Sequence, residues 1–208
     1  MKKIAFVLLL ASASLNIHAQ VNEQKAQAKE WVESLQLNDK NKEEQVANIV
    51  AAHLTAVREW HNNHPASTVP AGINPVTGEK LSELHRQMIA DSAMPDSVHK
   101  NLMSGLRAQL SEEQVNAILD KYTIGKVDFT MKAYKEIVTD MTEKEEAVIR
   151  KNLETAREMA VDYKSMKEIS AIFEIYKTKN EQFLNANGRS WRQMYSDYVK
   201  ALKAKKKK

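Results

Sequence analysis

Four hydroxyl residues, each followed three positions later by Glu or Gln, constrain this chain more than any other feature. An apolar stripe with helical spacing follows each of them. They are Ser111, Thr142, Ser165 and Ser190. In a capping box the hydroxyl accepts from the third helical amide, while the longer side chain bonds the amide of the cap residue. The repeated pattern predicts helices near residues 112–121, 143–162, 166–187 and 191–204. Gly188 fits a left-handed residue that ends the third of these helices.

The rest of the chain also favours helix, because five glycines and four prolines in 208 residues leave few helix breakers. Apolar periodicity predicts five further helices, near residues 22–36, 40–62, 80–92, 96–108 and 127–138. Segment 64–78 holds three of the prolines and two of the glycines, which predicts an irregular connection of about fifteen residues. We therefore predict an all-α fold, a compact multi-helix bundle with one long proline-containing loop.

The N-terminus has the three parts of a signal peptide. Lys2 and Lys3 precede an apolar run over residues 4–10, and Ala19 offers a small residue for cleavage. The run is too short to span a bilayer. The chain has no cysteine, which excludes lipid attachment through cysteine, disulfides and thiolate metal sites. We predict a signal peptide over 1–19, a single helical domain over 20–199 and a periplasmic or secreted product.

The positive charge is concentrated at the two ends of the chain. Cleavage of the signal peptide removes two lysines and lowers the formal charge from +4 to +2. The predicted lysine-rich tail over 200–208 holds six more lysines and no acid, so residues 20–199 carry −4. A nucleic-acid-binding protein spreads positive charge over a folded face. We therefore predict no nucleic-acid partner, and the tail is either solvated or in contact with an anionic surface. No later stretch of the chain predicts a transmembrane segment.

A cluster of polar and aromatic side chains leads directly into the proline-containing loop. Its members are His53, Arg58, Trp60, His61 and His64. On a helix His53, Trp60 and His64 share one face. An indole ring offers a flat apolar surface, and imidazole and guanidinium groups bond hydroxyls, which together suit a sugar ligand. The alternative is a core tryptophan, a buried His53 and two solvated histidines.

Two further interpretations concern metals and acid–base chemistry. His61 and His64 lie one turn apart, a spacing found in zinc sites, but no HExxH motif or third ligand accompanies them. We therefore predict no metal and no cofactor. Asp128 and Tyr134 form a second candidate site, as ligand-binding or general acid–base groups. The alternative is that Asp128 caps a helix and Tyr134 belongs to the core.

Three long stretches carry a resemblance to a known family. They are HLTAVREWHNNHPASTVPAGINPVTGEKLSELHRQMIADSAMP, LSEEQVNAILDKYTIGKVDFTMKAYKEIV and MTEKEEAVIRKNLETAREMAVDYKSMKEISAIFEIYKTKNEQFLNANG. Through them the chain, from about residue 35 to 188, resembles DUF3826, a family of secreted proteins of unknown function found mainly in Bacteroidetes. The resemblance implies an exported protein linked with polysaccharide utilisation and sugar binding. It carries over no catalytic residues.

Three functions remain open at this point. The first is an exported accessory protein of polysaccharide utilisation that binds oligosaccharide or polysaccharide fragments. The second is a glycan-active lyase or hydrolase, although the chain has no GxSxG motif and no Gly-rich phosphate loop. The third is a periplasmic helical chaperone of Spy-like type, because the openings LSEEQ and MTEKE resemble the LTxxQ pattern of such proteins and methionine suits adaptable surfaces.

Overall fold

Helices dominate the computed structural model, which describes residues 22–75 and 77–205. Helix α1 covers residues 22–33. The others are α2 Lys40–Asn63, α3 Glu83–Asp91, α4 Asp96–Gln109, α5 Glu112–Thr123, α6 Lys126–Ile137, α7 Glu143–Ala160, α8 Met166–Ala186 and α9 Trp191–Lys205. A 3-10 turn covers Ala66–Thr68, and no β-strand occurs in the described ranges. The all-α prediction is confirmed, and each of the nine predicted helices has a counterpart.

Two helix boundaries differ from the predictions by three residues, each for a local reason. Helix α1 ends before the predicted residue 36, because Gln36 and Asn38 adopt left-handed φ angles of 51° and 56° that end a helix. Helix α3 begins three residues late, because Lys80 pairs with Ile73 in an isolated antiparallel bridge. Both differences depend on turn geometry that apolar periodicity does not encode.

Three of the predicted capping boxes form. At Thr142 and Ser165 the side chain and backbone make the two reciprocal bonds of the motif. The amide of Ser111 donates to Gln114 Oε1 over 3.1 Å, and the Gln114 amide donates back to the serine hydroxyl over 3.4 Å. Gly188 has a φ of 83°, as predicted for a residue that follows a helix. These local patterns therefore explain where α5, α7 and α8 begin.

The start of α9 uses a different cap from the one predicted at Ser190. The amide of Gln193 donates to the Asp197 carboxylate over 2.8 Å and so turns along its own helix. The backbone amide of Trp191 donates to Asn185 Oδ1 over 3.0 Å. A side chain at the end of α8 therefore accepts from the first helical amide of α9.

The chain divides within α5, after Ile118, into two compact units. In the first unit α2 packs against α3 and α4, and α3 packs against the 3-10 turn. The apolar stripe of α2 is buried there together with residues of α4. These side chains are Val46, Val50, Val57, Leu102, Met103 and Leu106. Burial of the stripe stabilises α2 more than its intrinsic propensity does.

In the second unit α7 packs against α6 and α8, and α9 packs against α6 and α8. The core of this unit is made of buried apolar side chains from α6, α7 and α8. They include Met131, Ile149, Leu153, Ile172, Phe173 and Leu184. Helix α9 contributes no buried residue. Its apolar side chains are therefore at least partly open to solvent.

Four other predictions have different outcomes. The predicted signal peptide over 1–19 lies outside the described residues. The single domain over 20–199 stays a prediction, because a division into compact units does not decide whether they fold separately. Within the described ranges no helix has both the length and the apolar character needed to cross a membrane. Helix α9 extends to Lys205, so the first part of the predicted lysine-rich tail is helical.

Candidate functional site

The structure divides the predicted site residues between the two units. Five belong to the first unit, on α2 and at its C-terminal end. They are His53, Arg58, Trp60, His61 and His64. The remaining two lie on α6 in the second unit. They are Asp128 and Tyr134. The predicted residues therefore form two groups, one in each unit.

Trp60 and His64 form a stacked pair at the end of α2. Their ring centroids are 3.7 Å apart, with an interplanar angle of 18°. The indole N–H of Trp60 donates to the backbone carbonyl of Ala90 over 3.0 Å, and Nδ1 of His64 lies 2.9 Å from the Trp60 carbonyl. The imidazole covers one face of the indole, while the N–H bond joins α2 to α3. The pair therefore acts as a clamp between two helices.

A buried carboxylate on α3 holds His61 beside this clamp. Nδ1 of His61 lies 2.8 Å from Oδ2 of Asp91, whose side chain is only 3% exposed. The side-chain amide of Gln87 donates to the other oxygen of Asp91 over 3.1 Å and to the His64 carbonyl over 3.0 Å. Both carboxylate oxygens thus have partners, as buried polar groups require. The network fixes the orientation of the His61 ring.

The proline-containing loop is tied to α3 and to itself. Nε of Arg86 donates to the carbonyl of Val69 over 2.8 Å. The amide of Leu81 donates to the carbonyl of Gly72 over 2.9 Å. The sequence does not predict that Asp91, Gln87 and Arg86 belong to this region. Their spacing along α3 was visible, but no local pattern indicates that this helix folds back onto the end of α2.

The other two candidates of the first unit have structural surroundings. His53 is 3% exposed and belongs to the interior of the unit, as the alternative interpretation expects. Nη1 of Arg58 donates to Glu23 over 3.0 Å and so joins α2 to α1. A dissolved ligand could reach His53 only if packed side chains moved. The predicted cluster is therefore held together mainly by bonds within the protein.

The candidates of the second unit also have partners. The carboxylate of Asp128 is exposed and accepts from Arg150 over 3.1 Å. Tyr134 is 2% exposed, and its hydroxyl donates to the carbonyl of Lys177 over 3.2 Å. Burial, aided by the nearby charge of Glu181, raises the pKa of Tyr134 well above its usual 10. The phenol therefore stays protonated at ordinary pH, which makes it a poor general base.

Tyr134 is the inner end of an aromatic series that reaches the surface. Its ring centroid lies 5.2 Å from that of Trp191, with the two rings tilted by 41°. Trp191 in turn stacks with Tyr195, 6.0 Å away and at an angle of 25°. Tyr195 is 50% exposed. We call Trp191 and Tyr195 the aromatic face of α9.

A carboxylate lies at the edge of the aromatic face. Glu181 on α8 lies near the side chain of Trp191, whose only polar hydrogen is the indole N–H. Burial raises the pKa of Glu181; Lys177 and the nearby indole lower it, while Glu174 raises it. The result is a net increase, so the carboxylate is partly desolvated. The face therefore combines a flat apolar surface with a nearby hydrogen-bond acceptor.

Two sets of bonds hold α9 against its unit. Arg189, just before the helix, bonds Glu145 at 2.6 and 2.8 Å and Asp140 at 2.7 Å. Two turns into the helix, the hydroxyl of Tyr198 donates to Glu136 over 2.6 Å. These contacts fix the helix although none of its residues is buried. These bonds therefore hold α9, and with it the aromatic face, in place.

The sequence contained a signal for part of this face. Trp191, Tyr195 and Tyr198 recur at i, i+4 and i+7, which places three aromatic rings on one side of a helix. Glu181 had no such signal. Its approach to Trp191 depends on the turn that joins α8 to α9, which sequence spacing does not specify.

A known protein family matches most of the chain. The model of a family described as "Protein of unknown function (DUF3826)" matches residues 21–204. This match confirms the resemblance inferred from the three long stretches. No curated protein matches the chain.

Proposed function

The chain belongs to the DUF3826 family, and we propose that it is an exported protein that binds oligosaccharide or polysaccharide fragments during polysaccharide utilisation. The observation that carries the proposal is the aromatic face of α9. Trp191 and Tyr195 stack at 6.0 Å, and Tyr195 leaves half of its surface to solvent. The proposed ligand contacts therefore lie on α9 and not in the Trp60 cluster, because the rings and polar groups of that cluster bond one another.

Stacking supplies the apolar part of the proposed recognition. One side of many sugar rings presents only C–H groups, and aromatic rings bury large apolar areas against such surfaces. Tyrosine and tryptophan have few rotatable bonds, so they lose little conformational entropy when a ligand covers them. Tyr195 forms the accessible end of the face. Trp191 packs against Tyr195, and the buried Tyr134 packs against Trp191.

Glu181 supplies the polar part. Sugar hydroxyls are donors, and hydrogen bonds to a carboxylate are about twice as strong as those between neutral groups. The carboxylate lies near the Trp191 side chain. A sugar on the aromatic face would therefore meet a hydrogen-bond acceptor at its edge.

Calorimetry with pectic and hemicellulosic oligosaccharides tests the proposal. We expect Tyr195→Ala to weaken binding about ten-fold, the factor that corresponds to a stacking contribution of about 1.4 kcal/mol. Trp191→Phe keeps a ring but removes the indole N–H beside Glu181, and it should weaken binding by a smaller factor. Phe129→Ala is the matched control, because Phe129 is an exposed aromatic residue of the same unit.

Two results would contradict the proposal. One is an absence of binding across the panel, and the other is equal affinity of the natural chain and Tyr195→Ala. Analysis of the same mixtures for shortened or unsaturated products separates binding from lyase or hydrolase activity. Export is tested separately, by sequencing the N-terminus of the protein recovered from its source. A mature chain that begins at Gln20 is the expected result.

A further inference from the structure

The turn between α5 and α6 contains an unusual backbone conformation. Ile124 has a φ of 53°, and Gly125 follows it with a φ of 62°. A left-handed conformation is ordinary for glycine but a genuine outlier for a β-branched residue such as isoleucine. The Gly125 amide closes the turn by donating to the Asp120 carbonyl over 2.9 Å. The chain thus keeps a strained residue where glycine or asparagine would fit without strain.

The side chain of Ile124 gains no packing that offsets this strain, because it is 71% exposed. Phe129, in the first turns of α6, is 77% exposed. Three neighbouring residues of the chain are buried: Tyr122, Thr123 and Val127. The turn is therefore anchored by its buried residues and exposes two large apolar side chains. We call Ile124 and Phe129 the apolar tip.

Lysines flank the apolar tip along the chain. They are Lys121, Lys126 and Lys132. The carboxylates of this segment are each bonded to an arginine: Asp120 to Arg157 over 2.8 Å and Asp128 to Arg150 over 3.1 Å. Three lysines and two aspartates give residues 120–132 a net charge of +1, and both aspartates are paired with arginines of α7. Lys121 and Lys132 are exposed.

We propose that the apolar tip docks the protein on the surface of an anionic lipid bilayer. Two side chains are far too small for a specific protein interface, which covers about 800 Å² on each partner. A bilayer interface, by contrast, accepts single apolar side chains and adds electrostatic attraction between lysines and anionic headgroups. Charge complementarity therefore selects a lipid surface as the occupant. The docking is peripheral and reversible.

Co-sedimentation with vesicles tests this proposal. The probes are vesicles of phosphatidylglycerol and phosphatidylcholine in equal parts, and vesicles of phosphatidylcholine alone. We expect the natural chain to bind the anionic vesicles, and Ile124→Gly with Phe129→Ser to lower its partition coefficient by at least about ten-fold, because two apolar side chains are lost. Binding should weaken with added salt and be much lower on the neutral vesicles.

The variant also separates docking from folding. Ile124→Gly relieves the left-handed strain, so its unfolding midpoint should equal or exceed that of the natural chain while vesicle binding falls. Tyr195→Ala serves as the matched control and should bind vesicles normally. The lysines of the tail could bind anionic lipid by themselves. The comparison is therefore repeated with Lys200, Lys203, Lys205, Lys206, Lys207 and Lys208 changed to glutamine.

Several results would overturn the proposal. They are no binding of the natural chain to anionic vesicles, equal binding of the tip variant, equal binding to neutral vesicles, and loss of all binding when only the tail is changed. Self-association in the absence of lipid that the tip substitutions abolish would also overturn it, since the tip would then bind a second copy. A ten-fold or larger decrease for the tip variant in both tail backgrounds supports it.

Discussion

Arg189 bonds both carboxylate oxygens of Glu145, with Nε 2.6 Å from Oε1 and Nη2 2.8 Å from Oε2. Glu145 also completes the capping box of α7, where its carboxylate accepts from the Thr142 amide over 2.9 Å. One carboxylate therefore starts α7 and holds the residue that precedes α9. The position of the aromatic face depends on this pair.

Arg189→Met should destabilise the protein by about 2 kcal/mol, because it leaves a buried carboxylate without its charged partner. Urea denaturation measures the change in the free energy of unfolding. Lys177→Met is the matched control, since Lys177 pairs with the exposed Glu174 and such surface pairs contribute about 0–1 kcal/mol. Equal effects of the two substitutions would contradict the assigned role of Arg189.

Stability should also fall in acid for the same reason. The hydrogen bond from Arg189, followed by that from the Thr142 amide, lowers the pKa of Glu145 from 4.5 to about 2. Because the folded-state pKa is the lower one, the stabilisation is present above about pH 4.5 and is lost as the pH falls through about 2. The free energy of unfolding of Glu145→Gln should depend less on pH in this window. Identical slopes for the two proteins would contradict the prediction.

Asp91 should be important for stability and not for ligand affinity. Asp91→Ala removes the acceptor for His61 and Gln87 in a buried position, and we expect a loss of about 2 kcal/mol in the free energy of unfolding. Asp96→Ala, on the exposed surface of α4, should change it by less than about 0.5 kcal/mol.

Oligosaccharide affinity should be the same in Trp60→Phe as in the natural chain. A large decrease in that affinity would indicate that the ligand binds at the Trp60 cluster of α2.

The helices were predictable because their signals are local. At α5, α7 and α8 a hydroxyl and a Glu or Gln three residues apart determine the helix start within one turn of chain, and the apolar stripe of α2 needs only its own sequence. The sites were less predictable because they join distant residues. The sequence placed Trp60 and His64 on one face, but not the Ala90 carbonyl or the Asp91 carboxylate that bond this region from α3.

The same distinction explains the aromatic face. The spacing of Trp191 and Tyr195 is visible in the sequence, whereas their value as a platform depends on Glu181 and on the bonds that position α9. His53 shows the opposite case. Its apolar neighbours predicted either burial or ligand contact, and only the packed structure distinguishes the two, since 3% of the residue is exposed.

The most direct test of the central claim is a titration of the ¹⁵N-labelled protein with a binding oligosaccharide, followed by NMR. The chain has three tryptophans, at positions 31, 60 and 191, so three indole N–H signals can be assigned with Trp→Phe variants. A ligand on the aromatic face should shift the Trp191 signal and leave the Trp60 signal unchanged. A shift confined to Trp60, or no shift of any indole signal at saturation, would contradict the account.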